Sequence, residues 1–86
     1  MYLSKNLETI RKHLRENQSE FGERYGVGRS AVSKWEAGEN EPPLRVLMAL
    51  EDLTGVSMTR MLRDELSMDD LDSGGGMLRE PAQVKP

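Results

Sequence analysis

The sequence predicts an all-α fold, a compact five-helix domain over residues 1–66 followed by a flexible acidic and glycine-rich tail over residues 67–86. Three observations predict it. Apolar residues recur at spacings of three and four, the period of helices that bury one face. Cap residues and glycines punctuate that pattern at Asn17, Gly26, Gly28, Gly38, Gly55 and Ser57. Finally, 86 residues with 36% hydrophobic content and a mean hydropathy of -0.66 leave room for one modest core.

Leu3, Leu7, Ile10 and Leu14 form the stripe of a first helix over about residues 3–16, with Lys5, Arg11, Lys12 and Arg15 on its other face. Asn17 is an N-cap with Glu20 at the N3 position of a capping box, so a second helix begins at Gln18. Phe21 and Tyr25 turn its apolar side inward, and Gly22 stands where a bulky side chain would hold the next helix away. Gly26 is expected to be left-handed and to end this helix. Val27 plugs the turn, and Gly28 caps a third helix that stops at Gly38. Pro42-Pro43 suits the first turn of a fourth helix, ended by Thr54-Gly55. Its Leu44, Leu47, Met48, Leu50 and Leu53 spread widely, so a broad side should be buried. Ser57 caps a fifth helix striped by Met58, Met61, Leu62 and Leu66. Beyond it, Ser67 could cap one more helical turn before Gly74-Gly75-Gly76 breaks regular structure.

Composition removes several classes of function. The chain has no cysteine and one histidine, so a thiolate or His-rich metal site is excluded. No run approaches the roughly 18 apolar residues of a membrane span, and the N-terminus is not a signal peptide. The expectation is a soluble, cytoplasmic protein that is not an enzyme. Ser19, Ser30 and Ser33 have no recognisable base beside them. The three glycines lack the Lys-Ser/Thr of a phosphate loop, and Asp69, Asp70 and Asp72 lack the pattern of a calcium loop. No metal, cofactor or small ligand is implied.

The net charge of -3 conceals a division. Residues 1–35 hold seven basic against four acidic side chains, and residues 36–72 hold three against ten. The positive excess therefore lies on residues 1–35, which include most of the segment 18–38, QSEFGERYGVGRSAVSKWEAG. At about 100° per residue, Arg29, Ser33, Ser30 and Lys34 share one arc of the third helix, while Val32 and Trp35 lie on the other. The first arc offers hydrogen-bond donors to bases and phosphates, which is the chemistry of a helix lying in a DNA major groove. Trp35, Phe21 and Tyr25 are core residues on this reading, not stacking platforms. Lone His13 should be exposed.

Asn17-Gln18-Ser19-Glu20, the turn Gly26-Val27-Gly28-Arg29, Ser30 through Glu36, Gly38, Pro42 through Leu44, and Leu53 through Ser57 together resemble the phage repressor and Cro-like (XRE-type) helix-turn-helix family over about residues 3–63. The resemblance implies a lambda-repressor-like five-helix domain that binds double-stranded DNA, often as a homodimer on a pseudo-palindromic operator, and regulates transcription as a repressor. It implies that Gln18 bonds a phosphate and braces the recognition helix. Arg29, Ser30, Ser33 and Lys34 match positions that touch base edges or adjacent phosphates, and Asn17 belongs to the same surface. Asn40 and Arg45 are further phosphate contacts, the latter at a helix N-terminus. Arg11 and Glu36 match a structural ion pair.

Three positions depart from the family pattern. Gly28 stands where serine or threonine usually caps. Glu51 replaces a frequent alanine. Glu39 and Glu41 flank Asn40 where relatives place basic residues, so this loop repels phosphate. Met48, Met58, Met61 and Met68 read either as core filler or as an adaptable surface for a second subunit or another protein; a dimer would form through the last helix. Two other readings of the same fold are an antitoxin that represses its own operon, and an interaction adaptor in transcription.

Overall fold

The computed structural model describes residues 2–73. Six helices follow one another: α1 Leu3–His13, α2 Gln18–Glu23, α3 Arg29–Glu36, α4 Leu44–Thr54, α5 Met58–Arg63 and α6 Met68–Ser73. There is no strand among the described residues. The core gathers Leu7 and Ile10 of α1, Phe21 of α2, Val32 of α3, Val46 and Leu50 of α4, Met61 of α5 and Leu71 of α6, each essentially inaccessible to solvent.

Local chemistry sets the boundaries. α1 stops earlier than its stripe suggests, because Arg15 adopts a left-handed conformation with φ 61 and turns the chain toward α2. The Glu16 amide then donates to the Arg11 carbonyl and the Arg15 amide to that of Lys12, satisfying the helix end. Asn17 accepts from the Glu20 amide while Glu20 accepts from the Asn17 amide, a complete capping box. Gly55, at φ 76, closes α4. The Ser57 hydroxyl caps α5 by accepting from the Arg60 amide.

One buried polar residue ties the two ends of the chain together. Asn6, fully buried on α1, donates from Nδ2 to the carbonyls of Met61 at 2.6 Å and Asp64 at 2.7 Å. Its Oδ1 accepts from the Leu66 amide at 2.9 Å. These three groups sit where α5 ends and the chain turns toward α6, so they have no helical partners of their own.

The further helical turn expected from Ser67 forms and runs to Ser73, so helical structure extends past residue 66 into the stretch expected as a tail. Ser67 and Asp70 cap each other, α6 forms, and Leu71 anchors it on the core. Residues 74–86, the rest of the expected tail, lie outside the described residues. His13 is not exposed: its side chain is 11% accessible, and Nε2 lies 3.3 Å from Asp72 Oδ1 because α6 packs against α1. The fourth helix is not buried on so broad a side, since Leu44 is 62% and Met48 53% exposed. Its inward residues are Val46, Leu50 and Thr54, one stripe among the several that its apolar spacing permits.

Candidate nucleic-acid interface

The joint between α2 and α3 depends on Gly22. A Cβ there would lie 2.6 Å from the Val27 carbonyl oxygen and 3.2 Å from Val32 Cγ2, so only glycine lets the two helices approach this closely. Gly26, with φ 73, reverses the chain, and the Val27 amide bonds back to the Gly22 carbonyl at 3.0 Å. Gly28 is the extended N-cap of α3 and supplies no side-chain acceptor.

α3 divides into two faces, as its sequence predicts. Val32 is fully buried, and Trp35 is 5% exposed beneath the helix. Arg29, Ser30 and Lys34 are exposed and Ser33 is half-buried. Neither Arg29 nor Lys34 has an ion pair or side-chain hydrogen bond among the described residues, so both cations remain available to an external anion. Among the other basic residues of the first half, only exposed Arg15 shares this state. Lys5, Arg11, Lys12 and Arg24 each pair with a glutamate.

The far end of α3 is held by a polar brace. Arg11 grips Glu36 with Nε to Oε2 at 2.7 Å and Nη2 to Oε1 at 3.1 Å, and it donates from Nη1 to the Glu16 carbonyl at 3.0 Å. The hydrogen bond to Glu36 outweighs burial and holds the Arg11 guanidinium still more firmly protonated. Gln18 Nε2 also donates to Glu36 Oε1, at 3.0 Å. One carboxylate thus receives α1 and the start of α2 together, with side-chain accessibilities of 13% for Arg11 and 8% for Glu36. A pair this sheltered fixes geometry more than it adds net stability.

Four of the sequence-predicted residues come together. Arg11, Asn17, Gln18, Ser19 and Arg29 line one open cleft beside the start of α3. Ser19 had no binding role in the sequence, although its place beside Gln18 on the exposed first turn of α2 was a usable signal. Asn40 lies apart, in an exposed loop whose Glu39 and Asn40 amides fold back onto the Lys34 carbonyl. Glu39 and Glu41 are exposed around it with no ion pair among the described residues. Arg45 donates from Nη1 to the Tyr25 carbonyl at 2.8 Å, which fastens α4 to the turn and leaves only its other N–H groups for a phosphate. Tyr25 packs edge-on against Phe21, and burial pushes its phenol pKa up. Arg24 clamps Glu16 at 2.7 Å, a pairing the sequence did not signal.

No helix among the described residues is long and apolar enough to cross a membrane. Neither a curated protein nor a solved structure matches the chain. A family model described as helix-turn-helix matches residues 7–61, which contain the whole of α2, the glycine turn, α3 and α4. That family consists of DNA-binding transcription regulators and not of enzymes. With an unpaired cationic face, a tryptophan-backed helix and a glycine-fitted turn all inside the matched segment, the chain belongs to the XRE-type, Cro/repressor-like helix-turn-helix family.

Proposed function

We propose that the protein is a sequence-specific repressor that binds a pseudo-palindromic operator as two copies, each placing α3 in the major groove. The observation that carries this reading is the pair of unpartnered cations, Arg29 and Lys34, on the outer face of a helix whose inner face is locked by Val32, Trp35 and the Arg11–Glu36–Gln18 brace. Arg29, at the leading end of α3, reads a guanine through O6 and N7, a contact worth about 1–3 kcal/mol of discrimination. Lys34 takes a phosphate, Ser30 and Ser33 face base edges, and Gln18 with Asn17 holds the backbone beside the cleft. Asn40 adds an outer phosphate contact. Two half-sites would stand about 34–36 Å apart, one turn of duplex.

Acidic residues at Glu39 and Glu41 oppose indiscriminate binding, so affinity should concentrate on the right sequence and fall with salt. Selection from a random duplex pool at about 150 mM salt tests the proposal. A recovered palindrome containing a guanine whose replacement matters only when Arg29 is intact is the expected result. Absence of any enriched sequence, with the protein folded by its Trp35 emission, would overturn it.

A further inference from the structure

The two most exposed large apolar side chains among the described residues, Leu44 and Met48, lie one turn apart on α4. At about 100° per residue they share an outward arc with Arg45 and Asp52, while Val46, Leu50 and Thr54 occupy the buried arc opposite. Glu51 borders the arc and is half-buried. Arg45, Glu51 and Asp52 form no ion pair among the described residues, although Arg45 holds the Tyr25 carbonyl. Along the helix this face runs Leu44, Arg45, Met48, Asp52: apolar and basic at the start, apolar in the middle and acidic toward the end.

That pattern is complementary to itself. When a second α4 is laid antiparallel, the basic start of each helix meets the acidic end of the other. With the two-fold axis next to Met48, Arg45 faces the partner's Asp52, and the contact occurs twice by symmetry. Met48 leaves water against its counterpart beside the axis, Leu44 packs outside the Arg45 contact near the partner's helix end, and the antiparallel dipoles place each helix N-terminus beside carboxylates. A parallel arrangement would instead set Arg45 against Arg45 and Asp52 against Asp52. We propose that the outer face of α4 is the surface on which a second copy of this chain docks, antiparallel, about Met48. This deepens the two-copy reading above and relocates its contact. The last helices offer less, because Met61 and Leu71, like Leu66 between the two helices, are spent in the core and Met68 is less exposed than Leu44 or Met48.

The test uses the full chain without DNA, by sedimentation equilibrium from micromolar to millimolar protein. The expected result is a reversible monomer–dimer equilibrium. Met48→Glu should raise the dimer Kd at least about tenfold, since symmetry brings two carboxylates together at the axis. Arg45→Glu and Asp52→Arg should each weaken the dimer by a similar factor, and their combination should restore it, because the reversed charges again meet opposite ones. Trp35 emission and helical circular dichroism verify folding in each variant. A chain that stays monomeric throughout, or a dimer indifferent to Met48→Glu, or one that the charge exchange fails to restore, would overturn the proposal. The DNA reading is scored separately: Met48→Glu should keep half-site affinity while losing cooperativity on the paired site. Loss of specific half-site binding by the unaltered protein would sink the DNA reading and leave the dimer standing.

Discussion

The two ends of α1 hold the molecule together by different means. Near its N-terminal end, Asn6 is neutral, wholly buried, and bonded to three backbone groups. Near its C-terminal end, Arg11 is charged, mostly sheltered, and bonded to a carboxylate on another helix. The first attaches α5 and α6, and the second aligns α3. A neutral amide suits a site where only stability is at stake, since every one of its partners would otherwise be orphaned in a dry interior. The ion pair suits the helix that carries the outward cations, because its directional, two-pronged geometry fixes orientation.

Asn6→Leu should show the largest effect. It leaves two carbonyls and one amide without partners, at a cost of about 3 kcal/mol or more, readable by urea unfolding followed at Trp35. A loss no larger than that of a surface replacement would mean that the hub does not anchor α5 and α6. Next comes Gly22→Ala, which drives a Cβ into the Val27 carbonyl. It should cost about 2 kcal/mol and weaken DNA binding further in the folded fraction, because the α2–α3 angle must open.

Glu36→Gln probes the other end of α1. It should cost about 1–2 kcal/mol, less than loss of a fully buried charge, yet reduce DNA affinity disproportionately. A double-mutant cycle with Arg11→Met should give a coupling of at least about 0.5 kcal/mol. Equal damage to DNA binding by Asn6→Leu and Glu36→Gln at matched stability would erase the distinction between the two anchors. Arg15→Gly works in the opposite direction. Relieving a left-handed arginine should stabilise the chain by about 0.5–1 kcal/mol and so raise the melting temperature.

The smallest effect is acidic. Hydrogen bonds from the Ser67 backbone first, and then from Arg60, hold the Asp70 carboxyl below its ordinary value. Because the folded-state pKa is depressed, the cap's contribution is complete above the ordinary carboxylate pKa of about 4 and is lost as pH falls below it. The protection of the Ser67 and Asp70 amides against exchange, relative to their intrinsic rates, should fall in that range before the Asn6 contacts are disturbed.

Much of the fold was legible because its punctuation is local. Asn17 and Ser57 cap where their neighbours require, and Gly26 and Gly55 take the left-handed angles that other residues resist. The split of α3 was legible too, since Val32 and Trp35 differ so plainly in chemistry from Arg29 and Lys34. The Arg11–Glu36 pair came only through family resemblance, as nothing in a separation of 25 residues announces it. Asn6 was illegible for a deeper reason: its partners are backbone groups more than fifty residues away and carry no side-chain signature. On α4, too many leucines and methionines permitted several stripes, so periodicity could not say that Leu44 and Met48 face outward. His13 and Asp72 met only because α6 exists.

Gly28 leaves the start of α3 without a side-chain acceptor. A Cβ at this position would meet nothing within 4 Å, and its φ of -87 suits any residue. Gly28→Ser could therefore be accommodated without rearrangement, and its hydroxyl would tie down the opening turn of α3. The natural chain leaves that turn without a side-chain cap, and on the proposed reading part of its ordering would wait for a duplex. Tightening it in advance should slow release from the operator and also from near-miss sequences, exchanging discrimination for grip.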